Sequence, residues 1–409
     1  MAYVILGVGA AGMKAAAEIK SLSPGTEVVM ISKDRYVHSR CMLHQYLSHE
    51  RDEQTLNFTD PDFFEKHHIY WIQDGVDRID TAGRSVTTEN GTQIVYEKLL
   101  IATGANSFIP PVGELRQGKN VFGLRHLTDA QAIDQMAEHS EKILVIGSGL
   151  VGLDAAYGLL ERGKQVTIVE MAPQILPVQL DAHGALEYQK RFEKAGATFY
   201  LGRKADQAVC GEDGMIRSVT LDDGTKLDCD MIIVAAGVRA AVECLEGSGI
   251  LADRGIKVNE YMETNIPDVY AAGDVTGLSG IWPNAQKQGR VAAQNMCGFR
   301  FAYDDPFAAK NTINFYGLVS LCVGRIKAEE GDSVVIQEDK NVYRRAVIRD
   351  NRVEGILLQG DISGAGIWQY LIKNRIDIGH IRKPVFQLTF ADFYGVGEKG
   401  KYQWATAAE

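Results

Sequence analysis

The chain has 409 residues, of which 45% are hydrophobic and 23% charged, so it is long enough for two or three domains with full cores. Its net charge of −10 argues against a nucleic-acid partner. It contains no apolar run long enough to span a bilayer and leaves no room for a leader before the first strand, which predicts a cytoplasmic protein without a membrane anchor. Its six cysteines are scattered without the spacing of a metal site, which predicts that no metal is bound and suits a reducing cytoplasm.

The chain begins with a strand, a glycine-rich turn and a helix, in the sequence VILGVGAAG at residues 4–12. Gly7 is expected to make the tight turn, Gly9 to let the backbone approach a pyrophosphate, and Gly12 to let helix and strand pack closely. The pyrophosphate would then lie on free N–H groups at the helix N-terminus. Because glycine-rich turns also serve as plain connectors, one such motif is weak evidence.

The next strand of this first segment, residues 28–31, has its nearest following acid at Asp34. Asp34 either binds the ribose of a dinucleotide or is a solvated turn residue. The segment closes near Thr103 and Gly104, and two consecutive prolines follow at 110 and 111. We therefore predict a first domain segment over residues 1–113.

The same phrase recurs as ILVIGSGLVG at residues 143–152, so Gly147, Gly149 and Gly152 repeat the three glycine roles. The following strand ends at Glu170, 18 residues after Gly152. A carboxylate there accepts hydrogen bonds from a ribose diol and repels a 2′-phosphate, which favours NADH over NADPH. Two such sites in one chain imply two dinucleotides with electrons passing between them.

This second unit is predicted over residues 114–242, and it closes near Gly237 much as the first closes. Residues 264–274 then form a short strand that ends in Ala-Ala-Gly-Asp, and a helix is predicted over 283–297. From about 307 to 409 the pattern changes to short β-type runs with one helix near 367–373. The predicted fold class is α/β, with two doubly wound dinucleotide-binding domains and a small α+β C-terminal domain.

The last 103 residues are less acidic than the rest, with 14 Lys and Arg against 12 Asp and Glu. Four arginines are concentrated there, at 344, 345, 349 and 352. This run either attracts a small acidic electron carrier or is a solvated strand edge.

The two fingerprints, their closing phrases and the Ala272-Gly273-Asp274 phrase resemble the FAD-dependent pyridine nucleotide-disulfide oxidoreductase superfamily over nearly the whole chain. The resemblance implies that FAD binds residues 1–113 and 243–306, and that NADH binds the inserted domain 114–242. It implies that Asp274 binds the ribityl chain of the flavin, unless it merely caps a turn. The remaining implied FAD ligands are Gly7, Gly9, Ala11, Gly12, Asp34, Arg40, Val76, Thr103, Gly104, Arg125 and Trp282, of which Arg125 could instead be a surface ion-pair partner.

Cys41 stands alone, without the CxxxxC pair of the disulfide reductases. The segment from Ser39 to Leu43 and the phrase at 360–366 look similar to NADH:rubredoxin reductases and the flavin portions of nitrite reductases. Such a protein takes a hydride from NADH and gives single electrons to a rubredoxin- or ferredoxin-like protein. We favour this interpretation, in which Cys41 only packs near the flavin.

The alternative is the single-cysteine group of NADH oxidases, NADH peroxidases and coenzyme A-disulfide or persulfide reductases. Cys41 would then be catalytic, and Arg40 would lower its pKa. Ala10 stands where the peroxidases and oxidases carry a histidine, which argues against oxygen or peroxide chemistry.

A third possibility, from another class, is a flavin-bearing structural or regulatory subunit, although the second fingerprint and Glu170 argue for retained NADH binding. The last domain resembles the dimerisation domains of relatives, which implies a homodimer.

Two differences from related reductases lie at the expected flavin site, and their effect stays open: His44-Gln45 replaces a common Ser-Lys pair, and Asp154 replaces a common glutamate. Asp154 either orients a bound group or is a buried carboxylate paired locally.

Overall fold

The computed structural model describes residues 2–305, 310–396, 400 and 402–404. The chain forms two compact units: Met1–Met171 with Gly196–Pro306 is unit 1, and Ala172–Ala195 with Phe307–Glu409 is unit 2. The finer domain borders read from the sequence stay a prediction, and the expected start near residue 307 lies outside the described residues. The units differ from those borders at one segment, because residues 172–195 belong to unit 2 and not with 114–242.

The first sheet of unit 1 joins a parallel half to an antiparallel half through one long strand. Its seven strands are β1 (Ala2–Leu6), β2 (Val28–Ser32), β3 (Ile69–Gln73), β4 (Val76–Asp80), β5 (Ser85–Thr88), β6 (Gln93–Ile101) and β17 (Val269–Ala271). The order is β3-β2-β1-β6-β5-β4, and β17 also pairs with β6. The pairs of β6 with β1 and β17 are parallel, whereas its pair with β5 is antiparallel. Val4, Ile5 and Leu6 are fully buried, as expected for a central parallel strand.

The second sheet of unit 1 is a five-stranded parallel sheet around the second fingerprint. Its strands are β8 (Val121–Phe122), β9 (Lys142–Ile146), β10 (Gln165–Glu170), β11 (Thr198–Leu201) and β15 (Met231–Val234), in the order β11-β10-β9-β15-β8. Two small antiparallel sheets accompany it. They consist of β12 (Ala205–Cys210), β13 (Ile216–Leu221) and β14 (Lys226–Asp228), and of β7 (Ala105–Ser107) with β16 (Val238–Ala240).

The helices of unit 1 connect these strands. They are α1 (Ala10–Leu22), α2 (Leu43–Leu47), α3 (Phe63–Lys66), α4 (Leu127–Ala137), α5 (Leu150–Leu160) and α7 (Trp282–Met296), with 3₁₀ turns at Arg40–Met42, Glu243–Leu245 and Asp274–Thr276. Helices α1 and α7 cross closely, because a Cβ at Gly289 would lie 2.2 Å from the Ala11 carbonyl oxygen. The helix predicted over 283–297 is thereby confirmed within one residue at each end.

Unit 2 is built on a five-stranded antiparallel sheet. Its elements are α6 (Ala182–Lys194), β18 (Lys310–Phe315), β19 (Leu318–Gly324), β20 (Ser333–Asp339), β21 (Val342–Arg349), β22 (Arg352–Gln359), α8 (Ala365–Lys373), 3₁₀ turns at Val385–Gln387 and Phe390–Phe393, and the pair β23 (Tyr394–Val396) and β24 (Tyr402–Trp404). The sheet order is β18-β19-β22-β21-β20. The predicted small α+β domain and the predicted α/β class are confirmed.

Helix α6 belongs to unit 2 because its apolar face is buried there. Tyr188 donates a hydrogen bond to the Leu318 carbonyl oxygen at 2.9 Å, and the Phe192 ring packs edge-on against Phe315. Asp181, at the N-terminus of the helix, accepts a hydrogen bond from the Tyr343 hydroxyl at 2.5 Å. An amphipathic helix reveals an apolar face in the sequence, but the sequence does not say which sheet covers that face.

Candidate functional site

The two glycine-rich turns have the same geometry. Gly7 and Gly147 have φ angles of +106° and +103°, which only glycine adopts without strain. A Cβ at Gly12 would lie 2.0 Å from the Gly7 carbonyl oxygen, and a Cβ at Gly152 would lie 2.0 Å from that of Gly147. Each turn therefore brings the first helical turn against the end of its strand, as a dinucleotide-binding turn requires.

A cavity of about 460 Å³ lies beside the first turn. Its volume is within the range of small-molecule sites, and it lies at the carboxyl ends of parallel strands. All the FAD ligands predicted from the sequence except Gly12 line it, and so does Cys41: Gly7, Gly9, Ala11, Asp34, Arg40, Cys41, Val76, Thr103, Gly104, Arg125, Asp274 and Trp282. The structure thus brings these residues together, while their roles as ligands stay a prediction.

The first turn of α1 leaves backbone N–H groups for a ligand. Among the described residues, no side chain caps this helix, and its first turn holds no acidic residue. The N-cap is Gly9, and a Cβ there would have only the Arg40 side chain within 4.0 Å. A helix N-terminus of this kind favours an anion such as a pyrophosphate.

Two ion pairs line the cavity wall. Arg40 lies 3.1 Å from Asp34, and Arg125 pairs with Asp274. The Arg40 guanidinium also donates a hydrogen bond to the Arg125 carbonyl oxygen at 3.1 Å, which links the two pairs. The Asp34 side chain is only 14% exposed, so it is not a solvated turn residue. Arg125 does form the ion pair considered from the sequence, but with another cavity residue.

His126 is a cavity residue that the sequence reasoning missed. Its Nδ1 lies 2.6 Å from Arg40 Nη1, so the neutral imidazole accepts this hydrogen bond. Burial, followed by the positive charge of Arg40, lowers the pKa of His126 to about 3. The sequence signal that could have drawn attention to His126 was its position before Leu127-Thr128-Asp129. There it is the N-cap of α4, and its backbone N–H donates a hydrogen bond to Asp129.

Cys41 lies on the cavity wall in the short 3₁₀ turn before α2. The surrounding protein raises the pKa of its thiol above the ordinary value, chiefly through burial and then through the Asp154 carboxyl. Arg40 and Arg125 act in the opposite direction but do not reverse the sign. Arg40 therefore lowers the pKa of the thiol, as expected, but burial and Asp154 raise it by more, and the catalytic role of Cys41 stays a prediction.

The second turn carries a preorganised acid. The Glu170 carboxylate accepts hydrogen bonds from the Ser148 backbone N–H at 2.8 Å and from the Ser148 hydroxyl at 2.9 Å. Arg203, whose backbone N–H donates to the Glu170 carbonyl oxygen, directs its guanidinium to Asp223 at 2.7 Å. The sequence argument overlooked Arg203, which comes near Glu170 only because β10 and β11 are neighbours. Gly237 follows β15 with a φ of +111°.

Three of the four arginines in the run of unit 2 pair with neighbouring acids. Arg344 pairs with Asp361 at 2.8 Å, Arg345 with Asp181 at 3.3 Å, and Arg349 with Asp332 at 2.8 Å. The run is not the solvated strand edge considered from the sequence, because β21 lies inside the sheet between β22 and β20. Within the described part of the chain, no helix has the length and apolarity to cross a membrane, and no three His, Cys, Asp or Glu residues cluster as metal ligands.

Two family models match the chain. Residues 1–289 match pyridine nucleotide-disulphide oxidoreductase, and residues 310–376 match the rubredoxin NAD+ reductase C-terminal domain. The first match covers both glycine-rich turns and Asp274. The second begins with β18 and ends three residues after α8.

Two relatives and one solved structure are similar to the chain over most of its length. The chain is 30% identical over 390 residues to the nitrite reductase (NAD(P)H) of Bacillus subtilis, covering 93% of this chain but only 48% of that protein. It is 30% identical over 395 residues to the epsilon subunit of the NADH-dependent phenylglyoxylate dehydrogenase of Aromatoleum evansii, with 93% of each covered. The structure of NADH:rubredoxin oxidoreductase from Clostridium acetobutylicum superposes with a TM-score of 0.75 at 25% identity, covering 93% of this chain and 97% of that one. The chain spans about half the length of the Bacillus subtilis protein.

Proposed function

Because the chain belongs to the pyridine nucleotide-disulphide oxidoreductase family, we propose that it is an FAD-dependent NADH:acceptor oxidoreductase. The electrons of NADH pass through the flavin to a small rubredoxin- or ferredoxin-like protein. The C-terminal match to a rubredoxin NAD+ reductase domain and the similarity to an NADH:rubredoxin oxidoreductase support this acceptor class.

The observation that carries the proposal is the repeated turn. Gly7 with Gly12, and Gly147 with Gly152, form two turns of the same geometry, and each sits between a buried parallel strand and a helix. A single turn of this kind serves one dinucleotide. Two turns in one compact unit fit a protein that brings two dinucleotides together.

The residues around the cavity fit FAD. The uncapped first turn of α1 would hold its pyrophosphate, and Asp34 would accept hydrogen bonds from a ribose. Asp274 and Arg125, already paired, would hold the chain between the phosphates and the ring. The Ser279 hydroxyl, one residue before the cavity residue Gly280, is buried without a hydrogen-bond partner among the described residues. A buried polar atom without a partner is costly, so a ligand bound beside Gly280 would stabilise this hydroxyl by a hydrogen bond.

Bound FAD supplies the ability to accept two electrons together and to release them singly. The chain itself positions the two dinucleotides. Glu170, fixed by Ser148, would select the ribose diol of NADH, and Trp282, packed against Phe58 with ring centroids 4.6 Å apart, shields one end of the cavity. No general acid is required, so correct placement is the main catalytic contribution of these residues.

The test is anaerobic mixing of the purified protein with NADH. We expect the visible absorbance of the bound flavin to fall on mixing, and to return when oxidised rubredoxin or ferredoxin is added. A protein that binds NADH while its flavin stays oxidised would exclude the reductase and leave a structural or regulatory subunit. Recovery with oxygen or a low-molecular-weight disulfide, but not with the iron–sulfur proteins, would favour the single-cysteine oxidases and reductases.

Glu170→Gln is expected to reduce the preference for NADH. The substitution removes the charge that repels a 2′-phosphate while keeping the side-chain shape beside Ser148. We expect the ratio of kcat/KM for NADH to that for NADPH to fall at least about tenfold, or ~1.4 kcal/mol. Glu212→Gln, an exposed change of equal charge between β12 and β13, is the control. An unchanged ratio would show that Glu170 does not contact the ribose.

Cys41→Ser is expected to leave transfer to the protein acceptor intact. The raised thiol pKa keeps Cys41 largely protonated at neutral pH, so it is a poor nucleophile. We expect the turnover with rubredoxin to change by less than about twofold, or ~0.4 kcal/mol. Cys297→Ser, a half-buried thiol at the end of α7, is the comparison. Selective loss of disulfide or persulfide turnover in Cys41→Ser would instead assign a redox role to this thiol.

A second candidate function is that of the NADH-linked subunit of a larger dehydrogenase. Matching of 93% of both chains to the epsilon subunit of a phenylglyoxylate dehydrogenase favours it. The same electron path would then connect NADH with a partner subunit. Purification of the native protein decides between the two, since a free reductase elutes without partner polypeptides.

The location and the assembly are also proposals. All six cysteines are free thiols, which suits a reducing cytoplasm. The homodimer expected from the resemblance is checked by light scattering of the purified protein, which gives the mass in solution directly.

A further inference from the structure

Helices α2 and α5 are in unusually close contact beside the cavity. A Cβ at Gly158 on α5 would lie 2.7 Å from the His44 carbonyl oxygen and 2.8 Å from the Leu47 Cβ. Helix α2 follows directly after the 3₁₀ turn that carries Cys41, and α5 is the helix that begins at the second glycine-rich turn. The side chains at this junction therefore lie between the two sites.

The junction contains two titratable side chains that face each other. His44 Nδ1 on α2 lies 3.4 Å from Asp154 Oδ1 on α5. His44 Nδ1 is buried and has no hydrogen bond to any described residue, so no other group competes for this position. The Tyr157 ring, one turn further along α5, packs edge-on against the imidazole with centroids 6.1 Å apart. The pair is thus held in place by packing on both helices.

Burial leaves the proton of the pair on the carboxyl. Burial raises the pKa of Asp154 to about 8, and burial also lowers the pKa of His44 below its ordinary value. Glu50 and Arg51, which follow α2, act on His44 in opposite directions. At neutral pH the pair is therefore an uncharged carboxylic acid beside a neutral imidazole. Above about pH 8 it becomes a partly buried carboxylate beside a neutral imidazole.

The Asp154 charge reaches the cavity wall. After burial, the Asp154 carboxylate has the largest influence on the pKa of the Cys41 thiol, and it raises that pKa. The other charged groups that act on Cys41 are Arg125, Asp274 and Arg40, which all line the cavity. Deprotonation of Asp154 thus adds one negative charge close enough to influence the Cys41 side of the cavity.

We propose that Asp154 and His44 are a positioning pair that holds one proton beside the Cys41 side of the cavity, and that loss of this proton opposes reduction of the cofactor bound there. The coupling to reduction rests on the proposed function, whereas the protonation of the pair does not. Two electrons come from the reductant and add negative charge to the cavity. This charge favours the protonated form of Asp154, so above pH 8 reduction also draws up to one proton from solvent, which forms the O–H bond of the carboxyl.

The protonation is tested without NADH, on the protein as purified, by infrared spectroscopy and by alkylation of Cys41. We expect the carbonyl band of a protonated carboxyl at neutral pH, its loss as the pH rises through about 8, and its absence in Asp154→Asn. We expect iodoacetamide to modify Cys41 at least about threefold faster in Asp154→Asn than in the wild type above pH 8, because the variant lacks the carboxylate that disfavours the thiolate. An identical band and identical alkylation profiles in both proteins would overturn the proposal.

The coupling is tested by the midpoint potential of the bound flavin, measured against reference dyes with a chemical reductant. We expect the potential of the wild type to fall more steeply with pH in a segment that begins near pH 8, and we expect this segment to be missing in Asp154→Asn. The control variant Glu161→Gln removes the same charge at an exposed position at the end of α5. It should keep the steeper segment of the plot of potential against pH. A flavoprotein with the infrared band but no such segment would refute the coupling, and a protein without flavin would refute the proposed function alone.

His44→Lys gives an independent check with the opposite sign. A permanent cation at this position stabilises the Asp154 carboxylate, so the infrared transition should move down by at least about one pH unit. A transition at the wild-type pH would show that His44 and Asp154 do not interact.

Discussion

Gly147→Ala is expected to abolish rapid reduction of the flavin by NADH while the protein keeps its full flavin content. An alanine at a φ of +103° is strained, and its Cβ would lie 2.5 Å from the Ala235 carbonyl oxygen. The turn must therefore move, and the N–H groups at the start of α5 no longer converge on a pyrophosphate. We expect the Kd for NADH to rise at least about 100-fold, or ~2.7 kcal/mol.

The control for this variant is Gly163→Ala, in the turn after α5. Gly163 also has a positive φ, +73°, but a Cβ there has no atom within 4 Å. Gly163→Ala therefore introduces the same backbone strain as Gly147→Ala, about 1–2 kcal/mol, but no steric clash, and it lies outside the glycine-rich turn. Flavin absorbance measures cofactor content, and stopped-flow reduction at increasing NADH gives the affinity. Normal NADH affinity in Gly147→Ala would mean that the nucleotide binds elsewhere.

Gly7→Ala is expected to yield a protein without flavin. The collision is more severe than at Gly147, since the Cβ would lie 2.3 Å from the Ala102 carbonyl oxygen at a φ of +106°. Because Ala102 precedes the cavity residues Thr103 and Gly104, the displacement reaches two sides of the cavity. We expect affinity for FAD to fall at least about 100-fold, so that the cofactor is lost during purification.

Gly91→Ala serves as the reference for Gly7→Ala. Gly91 lies in the turn between β5 and β6 with a φ of +82°, and a Cβ there would meet no atom within 4 Å. Circular dichroism separates loss of flavin from loss of fold, and the flavin-to-protein ratio is the decisive measurement. If Gly7→Ala retains a full complement of flavin, the first turn is not the flavin site. The two glycine variants together assign one cofactor to each turn.

The parts of this molecule that the sequence predicted are those with local rules. A buried strand followed by a glycine-rich turn leaves little freedom, so β1 with α1 and β9 with α5 were foreseen along with the roles of Gly7 and Gly147. The cavity residues also gather as expected, because the carboxyl ends of parallel strands meet at one edge of a sheet. The family resemblance supplied Asp274, which no local pattern assigns to the cavity.

The parts that the sequence did not predict depend on contacts between distant segments. The net shift at Cys41 was not foreseen, because burial and Asp154, which raise the pKa of the thiol, outweigh Arg40, which lowers it as expected. His126 and Arg40 meet although 86 residues separate them, and neither segment encodes the other. The sequence also did not predict that the segment containing α6 packs within unit 2, since its amphipathic pattern does not identify the sheet that covers it.

The long strand β6 has a consequence for the order in which the protein is made. Its partner strand β17 pairs Val269 with Leu99. The first sheet is therefore completed by residues that leave the ribosome after all the strands of the second sheet, from β8 to β15, have been made. The strands of the second sheet are contiguous in the chain, so this sheet can form during synthesis. The first sheet is complete only after β17 has been made. Asp274 emerges three residues after β17. Capture of the flavin is therefore a late step of biogenesis, after the strands of the nucleotide-binding insertion have been made.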